Sequence, residues 1–243
     1  METIRINRFL AQCGLGSRRA VEALIRSGRV SVNGTVLVDL GRRVDPAEDV
    51  VEVDGERRVP SHRGTVLLLH KPVGVVSSLV RQDQRLCVLD LVPERYVGRR
   101  LFHVGRLDAD SSGLLLLSDD GDLAQRLLHP SHPVWKVYRL ATKPRLDPEQ
   151  VSRLADGSIR LDGRAVAPAR ARVLGPGELL EVRLREGRNR QIRRMVEALG
   201  ARVVELHRTA FGPIELGDLG EGQLREATTD ELAALSELGR GGR

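Results

Sequence analysis

Asp108 is the residue best placed to do chemistry. It lies in Gly105-Arg106-Leu107-Asp108-Ala109-Asp110-Ser111-Ser112-Gly113, which runs directly into four leucines, Leu114 to Leu117, and then into Ser118-Asp119-Asp120-Gly121. An apolar run bounded by glycine-containing turns reads as a buried strand. The turn ahead of it sits at the lip of a core and fixes Asp108 in space, which suits a carboxylate acting as nucleophile or base. The same residues also suit a plain Asx- or Ser-turn that satisfies backbone donors. A second candidate is Tyr138, because strand alternation in Lys136-Val137-Tyr138-Arg139-Leu140 puts Lys136, Tyr138 and Leu140 on one face. Packing alone is the commoner use of a tyrosine in a strand. The third candidate is Glu186-Gly187-Arg188-Asn189-Arg190-Gln191-Ile192-Arg193-Arg194-Met195, where a strand end runs into a helix with the apolar stripe Ile192, Met195, Val196 and Leu199. Arginine's planar fork matches phosphate two bonds at a time.

Competing chemistries find little support. There is no Walker loop or dinucleotide fingerprint, and Lys71 to Ser77 lacks the spacing of a phosphate-binding loop. His129 and His132 are three apart, but Pro130 and Pro133 break any helix that would align them, and His103 and His207 are isolated. Cys13 and Cys87 have no metal-ligand spacing and read as free thiols in a reducing cytoplasm. No metal or other cofactor is expected. No apolar run is long enough for a membrane helix, and Ile4 to Leu10 is too broken by Arg5, Asn7 and Arg8 for a signal peptide. The net charge is +6, and of 39 basic residues only Lys71, Lys136 and Lys143 are lysines. Such an arginine-rich surface favours a polyanion. Aromatic residues make up 2% of the chain, which argues against RNA readers built on aromatic sheets.

The elements that must position these residues fall into two units. In the first, Ile4 to Leu10 has helical periodicity, and Ser17 is placed to cap a helix over Arg18 to Ser27 that buries Val21, Leu24 and Ile25. Asn33-Gly34 joins Arg29–Val32 to Thr35–Val38 as a hairpin, and Val50–Val53 is a further strand ending at Asp54-Gly55. Residues 56–64 read as a linker, which sets the domains at 1–62 and 63–243. In the second unit, strands are expected at Val66–His70, Leu114–Leu117, Trp135–Ala141, Leu179–Leu184 and Ala201–Leu206. Helices are expected from Asp122 as cap to Leu128, over Glu149–Leu154, from Asn189 to a stop at Gly200, and over Glu231–Leu238 behind a Thr228-x-x-Glu231 capping box. Residues 239–243 read as a frayed end.

Gly105 to Gly121, Lys136-x-Tyr138 and Arg190-Gln191-Ile192-Arg193-Arg194-Met195, in that order, resemble the RNA pseudouridine synthases. Lys71-Pro72-Val73-Gly74 is similar to a further motif of that family. Gly14-Leu15-Gly16-Ser17-Arg18-Arg19 and Ile25 to Gly34 resemble the S4 RNA-binding domain found in its ribosomal RNA branch. Ser111 stands where the family usually has threonine. The resemblance implies an α+β fold: a small S4 domain, then a catalytic domain on a mixed, largely antiparallel sheet. It implies isomerisation of one uridine, flipped out of structured ribosomal RNA, with 23S RNA favoured over 16S or transfer RNA. It makes Asp108 the catalytic residue, Tyr138 the ring that stacks on the target base, and Arg193 the partner of Asp108. Leu206 would floor the uracil pocket. Arg106, Lys136, Arg188, Arg190 and Arg194 would meet substrate, and Arg18, Arg19, Arg26 and Arg29 would meet phosphates. A cytoplasmic monomer without a small-molecule cofactor is expected. The alternative is a non-catalytic S4-type ribosome-assembly protein.

Overall fold

The computed structural model describes residues 3–16, 18–60, 64–81, 84–96, 99, 101–175 and 179–238. Ser17, residues 61–63 of the expected linker and the tail from 239 lie outside the described residues. The chain divides into two compact units, one formed by residues 1–65 with 98–100 and the other by 66–97 with 101–243.

In the first unit, β1 (Ile4–Arg5) precedes α1 (Ile6–Gln12) and α2 (Arg18–Arg26). β2 (Val30–Val32), β3 (Thr35–Val36), β4 (Arg43–Val44), β5 (Val51–Val53) and β6 (Glu56–Arg58) follow. The antiparallel sheet has the order β3-β2-β5-β6, while β1 pairs with β4. Ile6, Phe9, Leu10, Val21, Ile25, Val30 and Val51 form its core. Asn33 and Gly34 both have positive φ, 52° and 77°, as a primed hairpin turn requires. Asp54 (56°) and Gly55 (77°) repeat that turn and fold Glu56–Arg58 back onto β5. These residues are therefore an edge strand and not linker. Their charge, which read as a linker, is what an exposed edge tolerates. The first helix begins two residues later than its periodicity suggested, because Ile4 and Arg5 pair with Val44 and Arg43.

The second unit continues with β7 (Val66–Lys71), β8 (Phe102–Val104), β9 (Ser112–Ser118), α3 (Gly121–Leu128), β10 (Lys136–Lys143) and α4 (Pro148–Ala155). Next come β11 (Arg160–Leu161), β12 (Arg164–Ala165), β13 (Arg170–Leu174), β14 (Leu179–Leu184) and α5 (Gln191–Glu197). β15 (Arg202–Phe211), β16 (Ile214–Glu215), β17 (Leu224–Glu226) and α6 (Thr229–Leu238) complete it. One sheet runs β13-β14-β10-β15-β9-β7-β17, with β8 on β9 and β16 on β15. Among the described residues every pairing in it is antiparallel except β9 with β15. The sheet is thus mixed and largely antiparallel, in an α+β fold.

The leucine run is explained by burial on both faces of β9. Leu114 and Leu116 pack with Leu127, Phe211 and Leu235, while Leu115 and Leu117 pack with Leu67, Leu69 and Tyr96. The parallel contact consists of His207 opposite Ser112 and Arg208 opposite Gly113. At Gly113 (φ +107°) a Cβ would stand 2.2 Å from the Arg208 carbonyl oxygen, so only glycine permits this approach. Several ends differ from expectation. Asp120, not Asp122, caps α3, its carboxylate accepting from the amides of Asp122 and Leu123. Arg190, not Asn189, is the N-cap of α5. β15 runs well past Leu206, because its pairing to β9 and β10 overrides the polar His207 and Arg208. The expected box at α6 is present, with Thr228 N donating to Glu231 and Glu231 N to Thr228 Oγ1.

Candidate active site

Asp108 sits in the turn between β8 and β9, and that turn is clamped from below. Ser77 Oγ donates to the Leu107 carbonyl at 2.6 Å and accepts from the Leu107 amide at 3.1 Å. Gly74 N donates to the Ala109 carbonyl, and Ser111 N to that of Asp108 itself. Beneath this shelf Lys71 is fully buried, its Nζ donating to the carbonyls of Pro72 and Val75. Burial pushes the Lys71 pKa down to about 8, against the opposing pull of Asp108 and Asp110. The Lys-Pro-Val-Gly segment thus carries the Asp108 turn, and the Asp108 side chain emerges from it, about one-third exposed.

It emerges into a cavity of about 860 Å³. Tyr138, Lys136, Leu206, Arg106, Arg188 and Arg190 line the same cavity, so the structure brings these expected site residues together with Asp108. Lys136 and Tyr138 reach it from β10, and Leu206 and Arg208 from β15, where Tyr138 pairs opposite Arg208. Lys136 Nζ lies over the Phe211 ring, and burial, then the charge of Arg208, push its pKa down to about 8.

The expected pairing of Arg193 with Asp108 does not occur. Arg190 Nη1 lies 3.5 Å from Asp108 Oδ2, and Arg190 also holds the Asp110 carboxylate at 3.0 Å. Arg193 is buried, and its Nη2 donates to the Asp110 carbonyl at 2.7 Å and to Ser111 Oγ at 3.1 Å. The reason lies at the start of α5. Arg190 adopts a left-handed backbone (φ 48°) at the N-cap and projects toward the turn, whereas Arg193, one turn later, faces inward beneath Val203. Burial raises the Asp110 pKa, but the Arg190 hydrogen bond and the charges of Arg193 and Arg190 outweigh it and hold the carboxyl below its usual range. Arg188 grips Glu186 and the Ala165 carbonyl, and Arg194 pairs with Asp162.

Sequence reasoning missed several lining residues. Arg208 is fully buried, its Nε donating to the Leu114 carbonyl while Nη2 meets no acceptor among the described residues. No motif marks it, and a strand arginine normally reads as surface. His103, His129 and His132 also line the cavity. His207, isolated in sequence, accepts or donates a bond with Ser112 Oγ at 2.9 Å and stands edge-on to His70. In the first unit Arg19 and Arg26 are exposed, while Arg18 lies on α2 with its side chain outside the description. Arg29 is half exposed and paired, its Nε and Nη2 donating to the two carboxylate oxygens of Asp54 at 2.7 and 2.6 Å.

A family model described as RNA pseudouridylate synthase matches residues 65–198, over half of the chain, and an S4 domain model matches residues 4–51. The chain belongs to the RNA pseudouridine synthases. An uncharacterised RNA pseudouridine synthase of Mycobacterium tuberculosis is 44% identical over 236 residues, covering 96% of this chain and 92% of the relative. Ribosomal large subunit pseudouridine synthase B of Bacillus subtilis is 37% identical over 239 residues, covering 96% of each. A solved pseudouridylate synthase superposes with a TM-score of 0.67 at 29% identity, covering 96% of this chain and 99% of that one. This synthase is therefore an RNA-modifying isomerase with an S4 domain. Among its described residues no helix is long and apolar enough to cross a membrane.

Proposed function

We propose that this synthase converts one uridine of 23S ribosomal RNA to pseudouridine, with Asp108 as the catalytic carboxylate. The observation that carries this reading is the emergence of Asp108 from a clamped turn into a cavity shared with Tyr138 and Arg190. The large-subunit target is supported by the Bacillus subtilis relative and by a Pseudomonas aeruginosa protein 38% identical to this chain, each named ribosomal large subunit pseudouridine synthase B.

The target atom lies inside a stacked structure, so the nucleotide must flip into the cavity. There the N1–C1′ bond breaks, the uracil rotates, C5 bonds to C1′, and the C5 proton is lost as N1 gains one. Nothing is oxidised and no group leaves the RNA. Asp108 serves at C1′, as nucleophile or as the charge that supports the ribosyl intermediate, with Arg190 orienting it. Tyr138 stacks on the base and Leu206 floors the pocket. Lys136, Arg106 and Arg188 face the backbone of the flipped nucleotide. Residues 1–62 act as the RNA-gripping domain through Arg18, Arg19 and Arg26, and residues 63–243 carry the chemistry in a cytoplasmic monomer.

Asp108→Asn, isosteric but without a nucleophilic carboxylate, tests the assignment. Single-turnover isomerisation of a 23S fragment should disappear while affinity stays nearly unchanged. Activity within about tenfold of the unmodified enzyme, about 1.4 kcal/mol of barrier, overturns it. Mapping pseudouridines in ribosomal RNA from a strain lacking this gene decides between the large and small subunits.

A further inference from the structure

Trp135 is the chain's single tryptophan, in a protein with few aromatic residues, and the site described above does not use it. It precedes β10 by one residue and is half-buried. Two arginines lie against its ring, the Arg185 guanidinium carbon 4.4 Å from the centroid and that of Arg170 5.1 Å. Topology puts them there. Lys136 pairs with Leu184 and Arg183 with Arg170, so β10, β14 and β13 present Trp135, Arg185 and Arg170 at one end of the sheet. The cluster adjoins the active-site cavity, since Arg185, Val134 and Lys136 line it and Lys136 Nζ approaches the Arg185 carbonyl.

The charge arrangement is unusual for a packing device. Both arginines are exposed, and neither pairs with a carboxylate among the described residues. By contrast, Arg172 pairs with Glu181 and Arg194 with Asp162. Two like charges on one ring repel each other, and exposed cation–π contacts are too weak to make such a pair a useful staple. An anionic partner that also brings a flat ring would neutralise the charges and extend the stack.

We propose that Trp135, Arg170 and Arg185 form a stacking site for an unpaired nucleobase flanking the target uridine, with the two guanidinium groups meeting its phosphate. The site rests on the reading that the cavity receives the target nucleotide. It captures the neighbour of the flipped base and holds the strand open at the cavity mouth. Recognition is by ring and charge, so the flanking base can be any of the four.

Trp135 is its own reporter. A 23S fragment that the unmodified enzyme isomerises, titrated into Asp108→Asn protein, should quench tryptophan fluorescence with the same Kd as anisotropy of the labelled RNA. Trp135→Ala should weaken that Kd by about five- to a hundredfold, the range for loss of one stacked base. Trp135→Phe should recover most of it, and the single-turnover rate at saturating enzyme should stay within about threefold. An RNA abasic at the flanking position should bind the unmodified protein more weakly but Trp135→Ala protein equally well. RNA that binds and is isomerised without quenching, and whose affinity is unmoved by Trp135→Ala or by the abasic position, overturns the stacking site while leaving the proposed function standing. Should Trp135→Ala not fold, the quench and the abasic comparison in otherwise unmodified protein decide the matter. Activity retained by Asp108→Asn strikes the proposed function instead.

Discussion

Arg190 and Arg193 are three residues apart on one helix end, and the structure gives them separable jobs. Arg193 is buried and binds the Asp110 carbonyl, Ser111 Oγ and, at 3.1 Å, the Asp110 carboxylate. Removing it leaves these groups short of a charged donor, at about 1.5–3 kcal/mol per such bond. Asp110 is about half exposed and regains water, so the net loss for Arg193→Ala should be roughly 2–4 kcal/mol. At about 2–4 °C per kcal/mol for a domain of this size, Tm should fall by roughly 4–16 °C. Arg190 is 41% exposed, and exposed pairs contribute about 1 kcal/mol or less to folding. Its Tm shift should stay within about 4 °C. Yet at 3.5 Å its charge acts on Asp108 with about 1 kcal/mol in a water-like medium and nearly 5 at an effective dielectric of 20. A site one-third open lies toward the lower end, so Arg190→Ala should slow single turnover by roughly ten- to a hundredfold. Differential scanning calorimetry and rapid-quench kinetics on both variants, with rates taken well below each Tm, measure the two effects. Arg190→Ala retaining activity within twofold, beside a folded Arg193→Ala protein that is inactive, refutes the assignment of Arg190 as the partner of Asp108.

Gly113→Ala should destabilise the catalytic unit by at least about 3 kcal/mol, since the positive φ and the Arg208 carbonyl both oppose a side chain; urea denaturation would show a lowered midpoint, and an unchanged one refutes the close approach. With the Lys136 pKa near 8, kcat/KM should fall as pH rises through about 8 and its charge is lost, and Lys136→Arg should remove that limb. Stability should move the other way: Lys71 and Lys136 hold their protons less tightly folded than unfolded, so their burial is a penalty present below about pH 8 and relieved as pH rises toward 10.5. Alanine at Arg19 or Arg26 should each lower the slope of log K against log salt by about 0.7–0.9, whereas Arg29→Ala, already paired with Asp54, should change it little.

What could be read from the chain depended on whether burial left a pattern. Leu114 to Leu117 announced a strand buried on both faces, and Asn33-Gly34 announced its turn, because each signal is local. Glu56–Arg58 carried no apolar alternation, since an edge strand needs none, and so passed for linker. The Arg193 expectation was carried over from the resemblance of Gln191-Ile192-Arg193 and not read from helix geometry. Each residue of an α-helix advances about 100°, so which arginine at the start of α5 meets the carboxylate depends on where the helix begins. The left-handed backbone of Arg190 that sets the phase is unusual for a residue other than glycine, and nothing in its side chain forecasts it. Arg208 was invisible for a related reason. Its burial follows from β9 lying parallel to β15, a pairing between segments almost a hundred residues apart.

The same pairing bears on why cations are buried here at all. Lys71, Arg193 and Arg208 are each enclosed around the Asp108 turn and bind backbone carbonyls. A well-packed apolar residue in such places is commonly as stabilising or more so, because it has no charge to desolvate. Arg208 makes the point most sharply, since one of its nitrogens has no acceptor among the described residues and its whole side chain is inside. Folding alone therefore gives no reason to keep it. The cavity it lines does, because fixed positive charge in a low-dielectric wall attracts a polyanion far more strongly than the same charge in water. Asp108 and Asp110 sit within that field, so in the proposed mechanism the carboxylate that would meet C1′ is oriented by the same charges that would draw in the phosphate. Grip on the substrate and alignment of the reacting group are then one electrostatic arrangement, and a substitution at Arg208 should weaken both together.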